Sequence, residues 1–213
     1  MDGLSAGVSS ELITLHQGDL PADLDLGPVV AIDTETMGLK PNRDRLCLVQ
    51  LSAGDGNAHL VRFEAARYDC PNLRRLLTSP SVLKLFHFAR FDIGMMEHHL
   101  GVVTRPVYCT KLASRLVRTY TDRHGLKDLV KDLVNVELSK QQQTSDWGAA
   151  DLTDAQLNYA ASDVLYLHQV KARLDEMLER EGRKALAQAC FDFLPTKASL
   201  DLLGWDEEDI FAH

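Results

Sequence analysis

Asp33 and Glu35 stand on either side of a single threonine in the run VVAIDTETMGL, residues 29–39. In an extended strand alternate residues point the same way, so both carboxylates project together while Thr34 faces the opposite side. Two like charges side by side repel, and they take up a proton unless a cation lies between them. Hard divalent ions such as Mg²⁺ and Mn²⁺ choose oxygen ligands, so paired carboxylates suit them. Taken alone, the pair reads equally as a solvated strand end or an N-cap. Two further acids change the balance. Asp92 follows FHFARF, where an apolar strand gives way to a helix, and Asp163 lies in YAASDVLYL, four residues beyond Tyr159. That spacing stacks Tyr159 and Asp163 on one helix face. A helix cap for Asp92 and an exposed polar position for Asp163 are the plainer alternatives. Four acids from separate parts of the chain, each beside apolar elements, are a set that can converge on two divalent metal ions.

The elements that must bring them together are legible in outline. Strand-like apolar runs occur at Val29 to Ile32, Leu46 to Leu51, His59 to Phe63 and Val82 to Phe88. The AGDGN turn signal joins the second and third as a hairpin. Pro71 opens a short helix, and after Phe91 helical patterns dominate. One long helix is expected from about Leu152 to Glu181, started by a capping box of Thr153 and Gln156. Strands first and helices after, with helical crossovers, predict an α/β fold in which helices cover a mixed sheet. The 213 residues are read as one domain, 1–213, with a C-terminal tail from about residue 190.

Composition narrows the functions. The chain is 45% hydrophobic and 25% charged, has no apolar run near the ~20 residues of a membrane span, and lacks a secretory leader in MDGLSAGVSS. A cytoplasmic protein without a membrane partner is expected. The four cysteines form neither a zinc pattern nor a disulfide framework. A net charge of −8 argues against a long basic track for nucleic acid. The charge is uneven, however: residues 105–131 carry seven Lys or Arg against two acids, whereas residues 201–213 carry five acids and no Lys or Arg. Within the basic segment Thr110 and Lys111 open a helix whose free N–H groups suit an anion such as a phosphate.

The motifs DTE (33–35), HFARFD (87–92) and YAASD (159–163) resemble, in their order, the three exonuclease motifs of the DEDD superfamily. The Y-x-x-x-D form resembles the tyrosine branch, DEDDy, to which ribonuclease D belongs; the histidine branch would need His at 158, which is Asn. KQQQTSDW (140–147) is also similar to the ribonuclease D pattern, without the Arg-Pro that often follows it. Over nearly the whole length, to LDLLGWDEEDIFAH, the chain looks like the nano-RNase C group, stand-alone DEDDy enzymes without helical accessory domains. One departure is His87, where many relatives have Asn.

The resemblance implies a ribonuclease H-like (DnaQ-like) exonuclease fold and a two-metal 3′-5′ exoribonuclease, using Mg²⁺ or Mn²⁺. Asp33, Glu35 and Asp163 would hold one ion and Asp33 with Asp92 the other. Tyr159 would orient the attacking water, since a hydroxyl of pKa ~10 stays protonated at neutral pH. Leu39 matches a leucine that wedges between bases, with core packing as its alternative, and His87 would contact phosphate or ribose. With no accessory module and no long basic track, the expected substrate is very short RNA, chiefly 5′-phosphorylated diribonucleotides such as pGpG. The group also forms ring-like octamers, so a homo-oligomer is expected, with the apolar residues of the tail as candidate contacts. A general exonuclease on longer RNA or DNA, and a non-catalytic dinucleotide-binding or scaffold module, are the competing functions.

Overall fold

The computed structural model describes residues 12–139, 141–142 and 144–212. The N-terminal MDGLSAGVSS, and Lys140, Gln143 and His213 from the motifs quoted above, lie outside them. Six strands form one mixed sheet in the order β1-β4-β3-β2-β5-β6: β1 (Ile13–Gln17), β2 (Val29–Thr36), β3 (Leu46–Ser52), β4 (Ala58–Arg62), β5 (Leu83–Phe86) and β6 (Val107–Cys109). β3 runs antiparallel to both β2 and β4, whereas β1 pairs parallel with β4, and β2, β5 and β6 are parallel, with a helix preceding each of β5 and β6. All seven residues of β3 are buried, which is why it reads as a continuous apolar run. The β3–β4 hairpin forms as expected, and Gly54 in its turn has φ +80° with the His168 ring closely opposed, so a side chain there would be both strained and obstructed.

The helices are α1 (Pro71–Thr78), α2 (Ala89–Leu100), α3 (Thr110–Val117), α4 (Leu126–Val134), α5 (Asp154–Leu165), α6 (Leu167–Arg180) and α7 (Lys184–Leu200), followed by a π-helical turn, Asp201–Trp205. The long helix is divided. Tyr166, at φ −103°, ψ −4°, stands between α5 and α6 as the cap of both, and they divide there. α5 lies across β2, β3 and β4, whereas α6 packs on α3 and α4. One straight helix could not follow both surfaces. At the joint His168 Nε2 meets the Val29 carbonyl at 3.0 Å, tying the start of α6 to the start of β2.

Two short strands, β1 and β6, were not expected. Three residues of β6 hold too little periodicity to stand out before the helical pattern of α3. The tail also divides differently: residues 184–200 form α7, which buries Ala187, Phe191, Leu194 and Ala198 in the main core and packs on α2 and β6. Among the described residues no helix is long and apolar enough to cross a membrane.

Candidate active site

The site begins at the C-terminal half of β2. Register pairs Asp33 with Gln50 and Glu35 with Leu48 of β3, so both acids stand on the face that α5 covers. The capping box forms: Gln156 N–H donates to the Thr153 hydroxyl and the Gln156 side chain accepts from Thr153 N–H. It sets where the helix starts, and Tyr159 and Asp163 follow on the face turned to the sheet, beside Ala160, Ala161 and Val164, all fully buried. Ligand oxygens of Asp33, Glu35 and Asp163 consequently lie within 4.8 Å of one another.

Asp92 arrives from another direction. It sits in the first turn of α2, only 3% exposed, and accepts from the Thr34 hydroxyl at 2.6 Å. It reaches β2 at Thr34, on the edge left open beyond the Val29–Ala31 pairing with β5, and does not join the 4.8 Å cluster. Its charge is nonetheless felt there: burial first, then Asp33, raises Asp92 well above the ordinary carboxylate range.

Burial raises Asp33 to about 7 and, with the charges of Asp33, Asp163 and Asp92, Glu35 to about 10. Asp163 is likewise raised well above normal, by burial and then by Asp33. Among the described residues no Lys or Arg forms an ion pair with any of the four acids. The fully buried amide of Gln50 reaches Asp33 and Glu35 only at 3.5 Å, the outer limit of a hydrogen bond. Crowded, half-buried carboxylates with no organic counter-charge fit hard divalent cations, which such a donor set would hold through oxygen. Gln50 escaped the sequence reading, although a lone amide in the otherwise apolar LCLVQLS is a visible signal.

Tyr159 stands beside Asp163, with its ring centroid 6.1 Å from that of buried Trp147. Burial, then the charge of Asp163, raises its phenol, so the hydroxyl is protonated at neutral pH and acts as a donor. At the other end of the site His87 Nδ1 lies 2.9 Å from the Thr110 hydroxyl, which also donates to the Phe86 carbonyl. Thr110 is fully buried, so its side chain positions His87 and presents nothing to solvent. Burial, then nearby Lys111, lowers His87 to about 3, leaving the ring neutral. The Lys111 ammonium sits 3.9 Å over the Phe88 ring, and Phe88 itself is held at φ +65° at the head of α2. Leu39 is 80% exposed just beyond β2, so the core-packing alternative for it falls away.

Comparison with known proteins gives a consistent picture. A family model described as a 3′-5′ exonuclease matches residues 18–179. Ribonuclease D of Granulibacter bethesdensis is 36% identical over 158 residues, which is 74% of this chain and 40% of that protein. The chain thus spans about two fifths of the length of the curated relatives it matches. Solved structures match nearly end to end, among them two of one protein. Brucella melitensis NrnC with bound Mg²⁺ is 55% identical, with a TM-score of 0.90, over 94% of this chain and 98% of that one. The same protein bound to pGG is 56% identical, with a TM-score of 0.91 over the same shares. The sheet and its helices are those of a ribonuclease H-like exonuclease fold.

Proposed function

Because the chain belongs to the 3′-5′ exonuclease family that includes ribonuclease D, we propose that it is a metal-dependent exoribonuclease whose preferred substrates are 5′-phosphorylated diribonucleotides, which it splits into nucleoside 5′-monophosphates. The observation that carries the dinucleotide preference is the end-to-end similarity to a nuclease solved with pGG, at 56% identity over 98% of that chain. The observation that carries the chemistry is the convergence of Asp33, Glu35 and Asp163 within 4.8 Å, with Asp92 at their edge.

When bound, two divalent ions would lower the pKa of the attacking water and neutralise charge on the leaving oxygen. Asp33, Glu35 and Asp163 would hold one, and Asp33 with Asp92 the other. Tyr159, kept protonated, donates a hydrogen bond that aims the water at phosphorus. The water oxygen bonds to phosphorus, the P–O3′ bond breaks, and the 3′-oxygen leaves with a proton. Leu39, exposed at the mouth, separates the two bases. Lys111, at the head of α3, supplies the positive charge for a 5′-phosphate, and neutral His87 adds a hydrogen bond to phosphate or ribose without adding charge. The four cysteines carry free thiols, which supports a reducing, cytoplasmic setting.

Turnover of 5′-labelled RNA of two, three and seven nucleotides, with Mg²⁺, Mn²⁺ or EDTA, tests this function. Fast cleavage of the dimer alone, abolished by EDTA, is expected. Equal cleavage at all lengths would make the protein a general exonuclease.

A further inference from the structure

A cleft of about 440 Å³ opens between the loop after β2, the head of α2 and the turn that follows α7. Its apolar walls include Leu39, Phe88, Phe91 and Leu202, and its size is within the roughly 300–1,000 Å³ usual for a single small ligand. None of the four acids lines it. It adjoins their site instead, through Leu39 just beyond β2 and through Phe88, next to His87. The far wall is the C-terminal turn, contributing Asp201, Leu202, Gly204 and Asp206.

That wall is fastened in place. Arg90, on the first turn of α2, grips the Asp201 carboxylate with both Nε and Nη2, the latter at 2.8 Å, and Nη2 also donates to the Asp206 carbonyl at 2.8 Å. Lys197 Nζ reaches Asp201 at 2.6 Å and the Trp205 carbonyl at 2.8 Å. Gly204, at φ +102°, reverses the chain so that residues 205 and 206 return to these two cations. A forked Arg–carboxylate contact fixes direction as well as distance.

We propose that this turn, latched by Arg90 and Asp201, ends the substrate path after two nucleotides. The proposal rests on the dinucleotidase function above and names the feature that would set its length limit. Position supports it: the cleft meets the Lys111–Phe88 corner, where a 5′-phosphate is proposed to sit, so a third nucleotide on the 5′ side would have to pass through the turn. Charge supports it too. Residues 201–209 hold five acids and no Lys or Arg, and Arg90 and Lys197 beside them are engaged by Asp201; the other cation on the cleft's lining, Lys40, stands on the loop after β2 and not on the turn. An added backbone phosphate would meet both an obstruction and a repulsive field.

The test compares kcat/KM for 5′-phosphorylated RNA of two, three and seven nucleotides among four proteins: wild type, Arg90→Ala, a chain ending at Leu200, and the charge-swapped pair Arg90→Asp with Asp201→Arg. Circular dichroism and melting establish that each is folded, and the shortened chain carries the test where Arg90→Ala does not fold. The heptamer-to-dimer ratio is expected to rise about tenfold or more when the latch or turn is removed, and to return towards wild type in the swapped pair. A dimer-selective wild type whose ratio stays within about twofold in every folded variant overturns the wall and leaves the dinucleotidase standing. A wild type without length preference overturns both.

Discussion

At the scale of residues, the site is a set of carboxylates that destabilises the protein until something positive enters it. Asp33, at about 7, and Glu35, at about 10, both lie above the ordinary carboxylate values of the unfolded chain. The folded state therefore binds more protons than the unfolded state from about pH 4 up to those values, and stability falls as pH rises through that window. A bound divalent ion opposes this by favouring the ionised forms. The melting temperature without metal is thus expected to drop between pH 5 and pH 8, and Mg²⁺ is expected to raise it more at pH 8. Binding at a hundredfold excess over Kd is worth about 2.7 kcal/mol, or roughly 5–11 °C for a chain of this size. In Asp33→Asn the Mg²⁺-induced rise should shrink and turnover should be lost with the fold intact. Scanning calorimetry beside a cleavage assay checks both, and undiminished turnover in that variant would remove the metal mechanism.

At the scale of elements, each site residue is placed by a short local device. The capping box at Thr153 sets the phase of α5, and that phase turns Tyr159 and Asp163 towards β2. Gly101, at φ +65°, closes α2 in a left-handed cap, and Phe88 opens it in the same region of backbone space. At the end of the sheet where β2, β5 and β6 begin, Lys84 on β5 is fully buried and donates to the carbonyls of Ser79, Val82 and Arg105, joining the loop before β5 to the one before β6. Burial lowers this lysine to about 8, below its unfolded value. Between about pH 8 and 10 the unfolded chain binds the extra proton, so this group contributes a rise in stability with pH. Lys84→Met, which leaves three carbonyls without their donor, is expected to cost about 2–4 kcal/mol and to erase that rise. Urea unfolding at pH 7 and pH 9.5 reads both, and a variant as stable as wild type would show that the ammonium contributes little.

At the scale of the whole molecule, α7 completes the core, yet Leu203, Trp205, Ile210 and Phe211 beyond it remain exposed. Together with Phe193, whose ring lies 6.0 Å from that of Phe211, they form an apolar strip at the end of the chain. We propose that the protein assembles with copies of itself through this strip, as an octamer. Light scattering is expected to give a mass near eight times the 23.7 kDa chain, and Phe211→Asp is expected to lower it. A monomer mass for the wild-type protein would refute the assembly.

The sequence by itself determined the chemistry and the order of the motifs. Asp33, Glu35, Tyr159 and Asp163 stand out because strand and helix periodicities of two and nearly four are local, and the apolar run before each locates it on an element. The β3–β4 hairpin and the start of α5 were legible for the same reason, since turn glycines and a capping box act over a few residues. What only the tertiary structure decided depends on contacts distant in sequence. It divided the long helix at Tyr166, because α5 and α6 pack on different partners. It brought Asp92 to Thr34 at the edge of β2 and closed the Thr110 hydroxyl on His87. It carried α7 into the core and returned residues 201–206 to Arg90, more than a hundred positions earlier. No local pattern encodes such meetings, because they follow from how the sheet and its helices share one interior.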